Sequence, residues 1–219
     1  MLAAAHSSEV HNMAYLVLVR HGQSEWNALG LWTGQEDIPL TEQGKAEARK
    51  AAESLRDITL NKAYTSSLTR AKQTLEEIKG ALGNANLETV HDAALDERHY
   101  GDYQAKNKWE IKEKIGDEAF TKLRRTWDHP VPNGETLKDV HARVLPYYET
   151  HILADLKAGK NVIVAAHGNS LRALMKHLDE VDDDKVHELE IGTGEVVIYE
   201  INEDGTVAGK TVMNEGGKA

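Results

Sequence analysis

Residues 16–24 read LVLVRHGQS, and residues 162–170 read VIVAAHGNS. Each is an apolar, β-branched-rich run that stops at a His-Gly pair and passes into small polar residues. Such a run, without polar alternation, is the pattern of a strand covered on both faces, as in parallel sheets. Outward from these strands, helical and extended patterns alternate. LTEQGKAEARKAAESL (40–55) places Ala46, Ala51, Ala52 and Leu55 on a helical stripe behind Thr41 as N-cap. KAYTS (62–66) is a short strand leading into a helix closed by Gly83 and Asn84, and LETVHD (87–92) is a third strand. Residues 106–127 are charged and helical. PVPNGETL (130–137) is a loop, followed by a helix from about Glu135 to Lys157. EVVIYEI and TVAGKTVM flank NEDG, a hairpin with Asp204-Gly205 at its tip.

This alternation predicts an α/β fold. The expected architecture is a single-domain three-layer sandwich, with a mostly parallel central sheet, helices on both faces and a helical insertion at about 100–140. The domain is expected over residues 13–212, behind a disordered leader (1–12) and ahead of a flexible tail (213–219).

Composition narrows the function. The chain has 219 residues, 40% of them apolar and 28% charged, enough for a full core. It has 0 Cys, which excludes disulfides and thiolate chemistry and fits a reducing, cytoplasmic setting. With 26 basic and 36 acidic residues the formal net charge is -10. Generic binding to nucleic acid or to an anionic membrane is therefore not expected, and no stretch reads as a membrane span or a secretory signal. An anionic substrate would need a local basic pocket.

The two His-Gly pairs supply the candidate chemistry. If their strands are neighbours, His21 and His167 meet at the carboxyl edge of the sheet, where ligands bind in such folds. Glycine after each histidine lets backbone approach a ligand closely, and the second pair opens a helix whose amides favour an anion. A lone strand-end histidine is most often a structural residue; two in matching contexts favour a shared site. A metal pair is the other alternative, but no His-x-x-x-His face or Asp-His cluster accompanies it. Arg20, Arg70, Arg98, Lys108, Arg124 and Arg125 fall where loops meet that edge. Arginine's planar fork suits phosphate. Glu97 is the one acid among these cations, placed for general acid-base work or simply exposed in a loop.

LVLVRHGQSEWN (16–27) resembles the signature of the histidine phosphatase superfamily. Within it, the chain is similar to the cofactor-dependent phosphoglycerate mutases from about residue 15 to 201. WTG (32–34), LTEQGKAEA (40–48), YTSSLTRA (64–71), LDERHYGDYQ (95–104), Asn107-Lys108, Arg124-Arg125, PNGETLKD (132–139), RVLPYY (143–148) and AAHGNSLRAL (165–174) carry the resemblance. Arg-His-Gly alone marks the superfamily, whereas ERHYG with the downstream Lys and Arg pair is more specific to the mutases. Gln35 stands where the family often has Trp.

The resemblance implies a role for each matching position. His21 would carry a phosphoryl group, with Arg20, Arg70 and His167 around it. Glu97 would exchange the proton of the substrate hydroxyl. Gly22, Gln23, Ser24, Asn27, Thr33, Gly34, Arg98, His99, Tyr100, Lys108, Arg124, Arg125, Gly168 and Asn169 would complete the substrate site. The implied reaction interconverts 3- and 2-phosphoglycerate in glycolysis and gluconeogenesis, primed by 2,3-bisphosphoglycerate and without metal. The implied partners are small phosphorylated anions, and monomer, homodimer and tetramer all stay open. A phosphatase of the same superfamily and a non-enzymatic phospho-ligand binder are the competing readings.

Overall fold

The computed structural model describes residues 13–213, so the expected leader and, beyond Met213, the expected tail lie outside the described residues. The strands are β1 (Ala14–Arg20), β2 (Lys62–Thr65), β3 (Thr89–His91), β4 (Val162–Ala166), β5 (Val196–Ile201) and β6 (Val207–Met213). They form one sheet of order β3-β2-β4-β1-β5-β6. Neighbours from β3 to β1 run parallel, while β5 and β6 add an antiparallel edge hairpin. The helices are α1 (Glu25–Ala28), α2 (Glu42–Glu53), α3 (Thr69–Ala81), α4 (Lys108–Arg125), α5 (Leu137–Tyr147), α6 (Leu153–Lys157) and α7 (Gly168–Leu178).

Strand alternation divides the core into two layers. Leu16, Leu18, Val162, Val164 and Tyr199 face one side, against Val140, Val144, Tyr148, Leu171 and Leu174 of the α5–α7 layer. Val17, Val19, Ile163, Ala165 and Ile198 face the other, against Ala48, Ala51, Ala52, Leu75 and Ile78 of α2 and α3. Both faces of β1 and β4 are therefore covered, which is why their sequences show no polar alternation. The sandwich has the three layers expected, and the sheet is parallel through its centre.

Local chemistry sets the element ends. Thr41 caps α2 by accepting from the Gly44 N–H at 3.0 Å. The stripe of α2 differs from the expected one: Ala48 is buried and Ala46 is exposed. At helical spacing Ala48 lies on the face of Ala51, Ala52 and Leu55, whereas Ala46 points away from it. The helix from Leu137 to Lys157 is continuous but wound as a π-helix over Tyr148–Ile152, just after Pro146. Proline has no N–H for the ladder, and a wider turn follows the break. α4 is kinked at Gly116 (φ 81°, ψ 164°), a backbone conformation that glycine adopts freely. A third apolar cluster of Trp32, Ile111, Phe120, Leu123 and Val131 anchors α4 beside the carboxyl edge of the sheet.

Candidate active site

β1 and β4 end in register, Arg20 opposite Ala166, and the His21 N–H donates to the Ala166 carbonyl at 2.9 Å. This places the next residue of each strand side by side. The His21 and His167 rings stand 5.0 Å apart at 62°. His21 Nδ1 lies 2.7 Å from the Gly22 carbonyl. A carbonyl only accepts, so Nδ1 carries the hydrogen and Nε2 is the basic nitrogen. Burial, with Arg70 and Arg20 close by, holds both imidazoles well below their usual pKa, so both are neutral at physiological pH. His167 Nε2 lies 2.7 Å from Ser66 Oγ.

Around His21 a pocket is lined by Arg20, Asn27, Thr33, Gly34, Arg70, Glu97, Tyr100, Lys108, Arg124, Arg125, Gly168 and Asn169. Trp32, Arg172, Glu190 and Ile191 complete it. Two of the cations are held by backbone carbonyls. Arg70 donates to the Gly34 and Glu36 carbonyls at 2.7 and 2.8 Å, and Arg20 to the Ile191 carbonyl at 2.8 Å. Burial pulls Arg70 down to about 10 against the opposing pull of Glu97, Asp37 and Asp96, and burial with Arg124 and Arg20 nearby pulls Lys108 down to about 8. Arg125 is paired with Glu190 at 2.8 Å. Arg20 Nε, Arg70 Nε and Thr33 Oγ1, all on residues that line the pocket, are buried with no hydrogen-bond partner among the described residues. Each unmet polar group costs about 1–3 kcal/mol, and an anion lodged among them offsets that cost. Among the described residues, no group of three or more His, Asp or Glu is placed to hold a metal ion.

Glu97 is clamped from several sides. Its Oε1 accepts from the N–H groups of Arg98 at 2.8 Å and Asn169 at 3.2 Å, and from Asn169 Nδ2 at 2.9 Å. Its carbonyl accepts from Arg143 Nη2 and Gln35 Nε2. Arg143 also donates to the Ala94 and Asp96 carbonyls and pairs with Glu135, whose Oε2 accepts from the His99 N–H. The anion at the start of α7 is therefore the protein's own Glu97 carboxylate.

Several expected contacts have other places. Gly22 is not spared a side chain for a ligand: a Cβ there would stand 2.1 Å from the Gly44 carbonyl oxygen, so this glycine lets α2 pack on the loop. Gln23 lies in the same loop, its Oε1 accepting from Thr41. Ser24 caps α1 and is fully buried. Arg98 is buried under α4, donating to the Leu123 carbonyl and lying over the Tyr100 ring. His99 accepts from the Gly101 N–H through Nδ1. None of these side chains lines the pocket, and neither does that of His167, whose ring stands beside His21.

Sequence reasoning passed over Trp32, Ser66, Arg143 and Arg172. Only Arg172 carried a signal, its i,i+3 spacing from Asn169 on α7. Arg143 opens RVLPYY (143–148), but no spacing ties it to Glu97.

The family model of the histidine phosphatase superfamily, branch 1, matches residues 16–213. A protein of Mesorhizobium japonicum named 2,3-bisphosphoglycerate-dependent phosphoglycerate mutase is 48% identical over 200 residues, covering 90% of this chain and 97% of that protein. One of the same name from Bradyrhizobium diazoefficiens is 49% identical over 197 residues, covering 89% and 95%. Among solved structures, Bacillus stearothermophilus YhfR is 28% identical with a TM-score of 0.76, covering 94% of this chain and 98% of that one. A mycobacterial glucosyl-3-phosphoglycerate phosphatase is 25% identical with a TM-score of 0.77, covering 94% and 100%. The fold, the paired strand-end histidines and these likenesses agree: the chain belongs to the histidine phosphatase superfamily, branch 1, and within it to the 2,3-bisphosphoglycerate-dependent phosphoglycerate mutases.

Proposed function

We propose that the chain is a phosphoglycerate mutase, interconverting 3-phosphoglycerate and 2-phosphoglycerate through a phosphohistidine on His21. 2,3-Bisphosphoglycerate supplies the priming phosphoryl group. One observation carries the reading: a neutral His21, its Nδ1–H fixed on the Gly22 carbonyl, lines a pocket shared with buried cations and Glu97. Nucleophilic attack needs the free lone pair that this tautomer leaves on Nε2.

The chemistry follows from these groups. Nε2 bonds to phosphorus as the phosphorus–oxygen bond to the substrate breaks. The departing oxygen takes a proton from the Glu97 carboxyl; in the reverse transfer the carboxylate takes it back. Arg20 and Arg70 spread the charge of the transferring phosphoryl, and His167 stands ring to ring with His21. Lys108, Arg124, Arg125, Tyr100, Asn27, Thr33, Gly34, Gly168 and Asn169 hold the rest of the substrate. Each phosphate carries about -1.5 to -2 charges near neutral pH, so a bisphosphorylated carboxylate calls for several cations. The pocket's arginines and Lys108 fit that demand. A small phosphorylated substrate and a cytoplasmic, glycolytic and gluconeogenic setting go with this reading, and no helix among the described residues is long and apolar enough to cross a membrane.

Hydrolysis of the phosphohistidine is the second reading, favoured by the likeness to the glucosyl-3-phosphoglycerate phosphatase. The two part on products. Incubation with 2,3-bisphosphoglycerate is expected to leave an acid-labile phosphate on His21 by mass spectrometry. An assay coupled to enolase is expected to show 2-phosphoglycerate formed from 3-phosphoglycerate, stimulated by the bisphosphate. Release of inorganic phosphate without isomerisation would overturn the mutase reading.

A further inference from the structure

Arg172 is 5% exposed and lines the wall of the pocket, yet no carboxylate is paired with it among the described residues. Its guanidinium donates to neutral oxygens instead. Nε reaches the Leu189 carbonyl at 2.9 Å, and Nη2 the Arg125 and Val186 carbonyls, both at 2.9 Å. Nη1 reaches Asn169 Oδ1 at 3.1 Å and the Arg124 carbonyl at 3.4 Å. Burial, with Arg125 nearby, pulls its pKa down to about 10. A buried cation without a counter-ion burdens the folded state, and a well-packed apolar residue often serves stability as well or better. Stability alone therefore does not explain an arginine here.

What the fork fixes is orientation. A carboxamide has one accepting and one donating end, and only its partners decide which end points where. The Arg172 donor holds Asn169 Oδ1, so Nδ2 is turned the other way. There it meets Glu97 Oε1 and the Tyr100 hydroxyl, each at 2.9 Å. The same guanidinium holds the last two carbonyls of α4, whose side chains, Arg124 and Arg125, enter the pocket.

We infer that Arg172 is a positioning residue. It holds the Asn169 amide with its N–H turned onto Glu97, and it holds the end of α4 so that Arg124 and Arg125 face the substrate. The inference rests on the reading of Glu97 as the proton-transfer group.

Arg172→Lys tests it. Lysine keeps the charge, but one ammonium with three donors does not span these separated acceptors. Turnover of 3-phosphoglycerate is expected to fall about tenfold to a hundredfold, the range for a misplaced reacting group. The burst of p-nitrophenolate from p-nitrophenyl phosphate, whose leaving group departs without a proton, is expected to fall much less than isomerisation. In an Asn169→Ala background, Arg172→Lys is expected to cost much less than in the wild type, because the two residues act as one unit. Equal slowing of both reactions, unchanged isomerisation or additive losses in the double variant would each overturn the inference. Absence of phosphohistidine or of 2-phosphoglycerate in the wild type would instead overturn the reading beneath it. If circular dichroism shows Arg172→Lys unfolded, Asn169→Asp decides. Its carboxylate gives Arg172 a counter-ion but removes the side-chain N–H on Glu97, leaving the backbone donors in place. A melting temperature held or raised, with turnover down at least about tenfold, supports the inference; unchanged turnover overturns it.

Discussion

The rings of His21 and His167 meet edge to face, 5.0 Å apart, although neither has a carboxylate partner among the described residues. Each is the first residue beyond one of two paired parallel strands, so strand register delivers both to the same spot. Burial first, and then the positive charge of Arg70 and Arg20, keeps both rings neutral. A phosphoryl group arriving here meets a free lone pair and fixed positive charge together.

His21→Ala is expected to abolish phosphorylation by 2,3-bisphosphoglycerate and all mutase turnover, since the nucleophile is gone. An acid-labile phosphate still carried by this variant, mapped by peptide mass spectrometry, would assign the nucleophile elsewhere.

Glu97→Gln is expected to lower kcat by about 100- to 10,000-fold while leaving the melting temperature close to that of the wild type. The amide keeps an oxygen for the donors of Arg98 and Asn169 but does not exchange the proton. An unchanged kcat removes Glu97 from proton transfer.

Lys108 releases its proton at about 8 in the free protein, and an anionic ligand favours the charged form. KM for 3-phosphoglycerate is therefore expected to rise as pH climbs through 8. Lys108→Met is expected to raise KM about tenfold or more at pH 7 and to flatten that rise. A variant whose KM keeps the wild-type pH dependence assigns the titration to another group.

Stability is expected to fall in mild acid. The folded-state pKa of His21 and His167 lies below the unfolded value, so the unfolded chain takes up protons first. Stability is thus full above the usual histidine range and lost as pH falls through it, by about 1.4 kcal/mol per pH unit for each such histidine. Denaturant melts between pH 7.5 and 5 measure the slope, and His21→Gln is expected to shallow it. Equal slopes in both proteins count against a depressed His21.

Gly22→Ala is expected to destabilise the fold by about 1–3 kcal/mol, because the added methyl meets the Gly44 backbone. Thermal melts read this directly; an unchanged melting temperature means the loop yields at no cost.

Much of this protein is legible in its chain. Two uninterrupted apolar runs ending in His-Gly establish buried parallel strands and two histidines at one sheet edge. Thr41, Gly83 and the NEDG turn mark element ends by local chemistry, which needs no knowledge of distant residues. The cations of the pocket are legible as residue types, and most of them line it. What tertiary structure alone decides is who touches whom. Gly22 serves the backbone of α2 because the loop after β1 packs against the first turn of that helix, a contact no local pattern encodes. Arg98 and His99 follow Glu97 directly, yet the chain's path turns Glu97 into the pocket and buries Arg98 beneath α4. The clamp on Glu97 draws on Gln35, Arg143 and Asn169, three separate segments that only the folded chain brings together. Its orientation depends on Arg172, whose partners are backbone carbonyls present in every residue, so composition and motif give no sign of which ones it will find.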